Sequence, residues 1–447
     1  MIRLKEKIGY GLGDTASNIV FQVVINFMMI FYTDVFGISA AAVGTLMLVV
    51  RLFDAVTDPI MGGIADRTNT RWGRYRPYLL YTCIPYAVLA VLAFTTPDLG
   101  DSGKLVWAYV TYAVLMTIYT AINIPYSALG GVLTENVKER TSIQSYRFAM
   151  AMAGGAIVTA SFMPLVEFFG GAESNREIGY QYAMGTLSVL AVACFLLCFF
   201  STKERVSPPV NERKTNLLQD LWSLRGNGPF MLVVSAAFFL LILTAMRSAA
   251  APYYLTYVLE REDLTSFFLT SGMVAALVGA LATNFVSQRM CKVKLFRIGC
   301  VLILLTHAAL FLIPGKYAWV AYAAFVGASF CQMIVVPVNF SMVADTADYG
   351  SLKTGKKIMG MSFSAHLLVI KLGLAVGGAL TGWLLSYYGY VANQAQTEDA
   401  LFGIMIVFAG SGVIVGALMY LVMSFYQLTD ERMTEVHQQM HEAEQAS

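Results

Sequence analysis

Twelve apolar runs, each long enough to cross a lipid bilayer, dominate the chain and leave it few architectures. A spanning helix needs about 20 apolar residues. Such runs fall at about 12–36, 40–62, 77–97, 104–130, 144–169, 179–201, 229–259, 265–288, 296–314, 317–343, 358–388 and 399–426 of the 447 residues. Lipid offers no partner for a bare backbone N–H or C=O, so runs of this kind fold as helices. Composition agrees: 57% of residues are hydrophobic and 13% charged, against about 25% charged in ordinary soluble domains. That is too little polar surface to coat a water-soluble globule. It excludes a cytosolic enzyme, a secreted disulfide scaffold and a disordered chain. The net charge of +2 supplies no basic field for nucleic acid. The six cysteines have neither disulfide-framework nor zinc-ligand spacing; most lie in apolar runs, with Cys291 in a basic loop, and they read as reduced thiols used as small apolar fillers. The fold class is therefore an all-α membrane protein with twelve transmembrane helices.

Charge sets the expected orientation. With both termini cytoplasmic, the inside segments hold 22 Lys and Arg, and the outside loops hold four, Lys104, Arg176, Arg261 and Lys316. That asymmetry is a strong positive-inside signal and supports the even number of spans. Arg51, Arg147, Arg247 and Lys371 remain inside spans. The first run lacks the short core and small-residue cleavage site of a signal peptide, so the chain reads as a multi-pass protein of the cytoplasmic (inner) membrane. The longest interior polar stretch, Ser201–Gly228, follows span six. It divides the chain into a six-helix half (1–201), a cytoplasmic linker (202–228), a second six-helix half (229–427) and a cytoplasmic tail (428–447), the tail read as helical. Six spans, a linker and six more is the two-halved plan of the major facilitator fold.

Polar residues at membrane depth are costly and mark pathways or pairs. Span two carries Arg51, Asp54, Thr57 and Asp58. The two carboxylates lie one turn apart on one helical face and ionise together only beside a cation. Either they hold a coupling ion with Thr57, as Na⁺ on oxygen ligands or as a proton, or Arg51 and Asp54 form a buried pair while Asp58 caps a helix end. Asp14 reads as a cap at the start of span one, with Asn18 a turn deeper facing a cavity. Span four places Thr120, Asn123 and Tyr126 around Pro125, whose missing N–H frees a carbonyl one turn back. Arg147 in span five presents a planar five-donor fork for sugar hydroxyls or a carboxylate, or pairs with Asp54 or Asp58. Lys371 in span eleven, flanked by apolar residues, has the span-two carboxylates as its nearest bare counter-charges, and His366 lies five residues earlier. At the loop after span two, Asp66, Arg67 and Arg74 read as a helix-end latch. Asp345 and Asp348 in span ten, followed by lysines, read as salt bridges between the halves or as helix-terminal solvation.

The segments Lys7–Asp14, Phe31–Gly37, Asp54–Pro59, Arg71–Pro77, Asn123–Tyr126, Ala344–Gly350 and Lys371 together resemble the glycoside–pentoside–hexuronide:cation symporter family, along nearly the whole chain. The resemblance implies import of a sugar or glycoside by alternating access, with a cation site at Asp54, Thr57, Asp58 and Thr120. It implies a sugar site from spans one, four, five and eleven, to which Asn18, Asn123, Tyr126, Arg147, Lys371, Asn339 and His366 are assigned. Na⁺ or H⁺ is then the coupling ion, and no cofactor and no metal beyond a Na⁺ at Asp54 and Asp58 is called for. The partners are the sugar, the cation and the bilayer, with a monomer as the working unit. Asn18 and Asn123 stand where the family's best-known sugar carrier has acids. That departure implies a different sugar, neutral or acidic, and favours H⁺ over Na⁺. The competing readings are a uniporter or non-sugar carrier, and a membrane sensor on a carrier fold. No Gly-x-x-x-x-Gly-Lys-Ser/Thr loop for an ATP-driven pump occurs.

Overall fold

The computed structural model describes residues 3–134, 137–171, 175–205, 226–315, 317–354 and 359–446. Among them, twelve helical segments are long and apolar enough to cross a membrane, and the only β-type pairing is an isolated bridge between Thr70 and Gly73. The helices are α1 (Leu4–Ile30, prolonged by a π turn to Val35), α2 (Ala40–Arg67), α3 (Arg76–Ala93), α4 (Asp101–Val132), α5 (Val137–Gly170) and α6 (Arg176–Ser201). Then come α7 (Gly228–Tyr253, prolonged to Val258), α8 (Thr265–Ser287), α9 (Lys292–Leu312), α10 (Ala318–Thr354), α11 (Met359–Tyr387) and α12 (Glu398–Ser424). An amphipathic tail helix, α13 (Asp430–Ala446), lays Met433 and Val436 on the core of the last six spans. Most of the stretch expected as a linker, 206–225, lies outside the described residues.

The first span begins earlier than the apolar run suggests. Helix α1 starts at Leu4, because backbone hydrogen bonding continues through the polar turns that precede the apolar run. This α1 packs on α5 and α6, α2 on α4, and α3 on α4 and α6. In the second set α7 packs on α11 and α12, and α10 on α8 and α9. Across the seam, α2 meets α11, α5 meets α8, and α1 meets α7.

Glycines set the α2–α11 crossing. A Cβ on Gly382 would lie 2.2 Å from the Ala40 carbonyl oxygen and 2.7 Å from the Gly44 Cα, so the two backbones touch directly. Close approach through small residues is the usual way helices lock together in lipid. The register matters for the site. At 1.5 Å per residue, Lys371 lies about 16 Å along α11 from this contact. Asp54 and Asp58 lie about 15 and 21 Å along the antiparallel α2. The crossing thus sets the ammonium level with the carboxylates.

At the face carrying the chain termini, Glu204 accepts hydrogen bonds from the backbone N–H groups of Arg74 (2.8 Å), Tyr75 (2.8 Å) and Arg76 (3.0 Å). These are donors that the start of α3 leaves unpaired. Arg205 forks onto Glu6 at 2.6 and 2.9 Å, and that bond raises the Arg205 pKa. Glu204 thus holds the loop in which Asp66, Arg67 and Arg74 are expected to form a latch. Arg74 enters it through its backbone, Arg67 is exposed, and the Asp66 side chain lies outside the described residues. Asp345, read as a bridge between the halves or as helix-terminal solvation, pairs with Lys292 at 2.5 Å inside the second set, where α9 begins beside the end of α10. Asp348 is also engaged at this end.

Candidate functional site

The polar residues of the spans gather at mid-depth around the seam. Asp54 is fully buried. Thr120 donates its hydroxyl towards Asp54 Oδ1 (2.5 Å) and Asp58 Oδ1 (3.0 Å). Lys371 crosses from α11 to pair with Asp54 Oδ2 at 3.1 Å and with Asp58 Oδ2. Two carboxylates, one hydroxyl and one ammonium therefore form a single cluster joining α2, α4 and α11. Side-chain exposure rises from 0% at Asp54 to 20% at Asp58 and 26% at Lys371, so the cluster opens on Lys371 and Asp58. Thr57 is turned away, its hydroxyl donating to the Asp54 backbone carbonyl at 3.0 Å. Arg51 does not pair with Asp54: its guanidinium lies 5.3 Å from the centre of the Phe21 ring. Lys371 reaches the carboxylates from the open side and provides the counter-charge.

A second cluster joins α1, α4 and α5. Asp14 is no helix cap, since it lies ten residues inside α1 and accepts from Arg147 Nε at 2.9 Å. Arg147 thereby takes a partner other than Asp54 or Asp58. Gly11 and Gly154 allow this, because a Cβ on Gly154 would lie 2.8 Å from the Thr15 carbonyl oxygen, and one on Gly11 would lie 2.7 Å from the Met150 side chain and 3.1 Å from the Tyr146 carbonyl oxygen. The Arg147 guanidinium lies 5.1 Å from the centre of the Tyr126 ring. Tyr126 stacks on Tyr10 with centroids 4.8 Å apart and donates to the Tyr10 carbonyl at 2.7 Å. Asn18 donates its amide to the Asp14 carbonyl at 3.0 Å, and the Asn123 side-chain oxygen accepts from Ser17 at 3.3 Å. Asn18, Asn123, Tyr126 and Arg147 thus belong to one cluster of α1, α4 and α5. Two other candidates lie apart from it. Asn339 is buried and donates to the Val233 carbonyl at 3.1 Å. His366 is buried edge-on against Phe340, and neither ring nitrogen has a hydrogen-bond partner.

At the face opposite the termini the two sets are tied around Asp34, in the middle of the Phe31–Gly37 segment given above only for its resemblance. Its carboxylate accepts from Tyr257, from Tyr390 (2.6 Å) and from Thr33 (2.5 Å). Asn393, in a left-handed turn (φ 60°) that asparagine tolerates, donates its amide to the Asp34 carbonyl at 2.5 Å. Burial pushes the Tyr390 pKa far up, so the hydroxyl stays protonated and can donate. Thr33 also meets Tyr253 at 2.7 Å, and Arg176 meets Glu262 at 2.5 Å. These links between distant segments, and the three-donor role of Glu204, leave no periodic trace in sequence. An aspartate at the end of an apolar span was the one available signal.

Residues 9–430 match the family described as MFS/sugar transport protein. The chain is 40% identical over 446 residues to the inner membrane symporter YicJ of Escherichia coli, covering 98% of this chain and 95% of that protein. It is 34% identical over 453 residues to the isoprimeverose transporter of Lactiplantibacillus pentosus, covering 100% of this chain and 94% of that one. Among solved structures, a bacterial homologue of the human lysosomal transporter Spinster superposes with a TM-score of 0.69 at 13% identity, covering 95% of this chain and 96% of that chain.

Proposed function

The chain belongs to the MFS/sugar transport family, whose members are transporters and not enzymes, and from that premise we propose that it imports a sugar or glycoside together with a cation. The carrying observation is the Asp54–Asp58–Thr120–Lys371 cluster. Two carboxylates against one ammonium leave one negative charge within the cluster. Such a charge is costly unless neutralised. A proton or a Na⁺ neutralises it. The ion competes with Lys371 for the same oxygens and frees the ammonium toward the substrate. Asn18, Asn123 and Arg147 form the facing wall and bind sugar hydroxyls. Residues 1–201 and 229–427 act as the two rocking bodies of a monomer, with both termini cytoplasmic and the Asp34 cluster at the outer gate.

A second reading rests on the same bridge. If Lys371 is a permanent counter-ion, no coupling ion is needed and the protein is a uniporter. Proteoliposome uptake of glycosides, pentosides and uronides, each driven by Na⁺, Li⁺ or a pH gradient, separates the two. Accumulation above equilibrium that is abolished in Asp58→Asn supports symport. Gradient-independent equilibration in both proteins refutes it.

A further inference from the structure

The charged side chains in the middle of the spans almost all have partners. Asp14 holds Arg147, Asp54 and Asp58 share Lys371, and the Arg51 guanidinium lies over the Phe21 ring. Arg247, in α7, is the one mid-span cation among the described residues with an enclosed nitrogen that lacks a hydrogen-bond partner. No carboxylate lies within ion-pair distance of it, Nη1 is enclosed without a hydrogen-bond partner, and the guanidinium rests 5.4 Å from the centre of the Phe325 ring. Eleven residues separate it from Val258, so it lies about 16 Å from the face opposite the termini. Asp54 is 14 residues from the start of α2, about 21 Å by the same rise. Both belong to the middle of the membrane.

Arg247 lines a cavity of about 150 Å³ at the seam of the two six-helix sets. Gln22 and Asn26 of α1, Thr159 of α5, Ser248 of α7 and Ser329 of α10 supply the other polar walls. The Ser329 hydroxyl is likewise enclosed without a partner. A hydrogen bond of 3.1 Å from Thr270 to Thr159 ties α8 to α5 beside the cavity. An unpaired guanidinium in low dielectric costs several kcal/mol, and such residues persist where they face a pathway or a ligand. The planar donor fork matches the two oxygens of a carboxylate. The uncharged amides and hydroxyls around it can donate or accept, as sugar hydroxyls require.

We propose that this cavity is an anion subsite of the transport path, with Arg247 holding the acidic group of a sugar acid while the sugar hydroxyls meet the amide and hydroxyl walls. The inference rests on the reading of the chain as a sugar carrier and adds the charge class of the sugar. It also moves the expected anion contact away from Arg147 and Lys371, whose charges are already matched inside the protein.

The test uses proteoliposomes of wild type, Arg247→Gln and Arg247→Lys. Initial uptake is measured for methyl glycosides of glucuronic and galacturonic acid, each paired with the neutral glucoside or galactoside. Wild type prefers one acid over its neutral partner at least tenfold, Arg247→Gln lowers that preference at least tenfold, and Arg247→Lys restores part of it. A preference unchanged in Arg247→Gln overturns the assignment. So does an equal fall for acid and neutral sugar that Arg247→Lys does not relieve, which marks a purely structural residue. Wild type that carries the neutral sugars and not the acids overturns the inference and leaves the sugar-carrier reading standing. Wild type that carries none of a wider sugar panel removes both.

Discussion

Replacing Lys371 by alanine isolates the energetics of the mid-membrane cluster. The ammonium lies 3.1 Å from Asp54 Oδ2 and also touches Asp58, and Asp54 is fully buried. At an effective dielectric of about 20, one charge pair at that distance is worth about 5 kcal/mol, and breaking a buried pair from one side typically costs about 3–5 kcal/mol. Lys371→Ala leaves two facing carboxylates with only Thr120 donating between them, so the purified variant melts well below wild type in Na⁺-free buffer at neutral pH. Two remedies follow from the same geometry. Removing one of the two negative charges with Asp54→Asn in the Lys371→Ala background recovers stability, giving a coupling energy of at least about 1.5 kcal/mol in a double-mutant cycle. Supplying another positive charge, as Na⁺ or as protons at lower pH, also raises the melting temperature of the single variant. The assay is thermal unfolding in detergent of wild type, both single variants and the double variant, repeated across Na⁺ concentration and pH. Additivity within about 0.5 kcal/mol, or a Lys371→Ala variant indifferent to both Na⁺ and pH, refutes the idea that the three groups share one charge balance.

Other perturbations probe the frame around that cluster. Gly382→Ala puts a methyl 2.2 Å from the Ala40 carbonyl oxygen, where ordinary C···O contacts are about 3.3 Å or more. The helices must part by about 1 Å, and overpacking of this kind costs about 1–3 kcal/mol; a lower melting temperature together with slower uptake is expected, and wild-type values for both contradict the crossing. Tyr390→Phe removes one donor to Asp34, worth about 1 kcal/mol or roughly fivefold in an equilibrium. In a cysteine-less background, labelling of Asn26→Cys by an impermeant thiol reagent from the face opposite the termini should rise by that factor; unchanged labelling rules out Asp34 as a gate. Glu204→Gln leaves some of the three N–H groups at the start of α3 without their charged acceptor, a loss of about 1.5–3 kcal/mol read as a lower melting temperature. No change there places the loop's stability elsewhere.

Much of the protein is legible in its sequence alone. The twelve helices follow from apolar length, because a backbone in lipid has no partner but itself. The pairing of Asp54 with Asp58 on one face follows from a spacing of four, and the attraction of Lys371 to them from the scarcity of other counter-charges in an apolar run. These are local or bulk arguments, and the structure bears them out in the shared cluster.

Tertiary structure decided which of several chemically reasonable partners each charge took. Arg147 could have met Asp54 or Asp58 by charge alone. It meets Asp14 because Gly11 and Gly154 let α1 and α5 approach, a packing fact written in two glycines but not in any spacing. Asp345 stays within its own set because α9 begins beside α10, and Glu204 serves three backbone donors at the start of α3 from a position about 130 residues away in sequence. Asp34 becomes a joint between the sets only when Tyr257 and Tyr390 are brought to it. Arg247 was visible as one more arginine in a span, and only the folded seam shows that, among the described residues, its guanidinium is enclosed at Nη1 without a hydrogen-bond partner. A one-dimensional pattern records which side chains share a helix face and how much they dislike lipid. Which faces meet depends on where small residues let backbones close up, and that is settled by packing among all the helices at once.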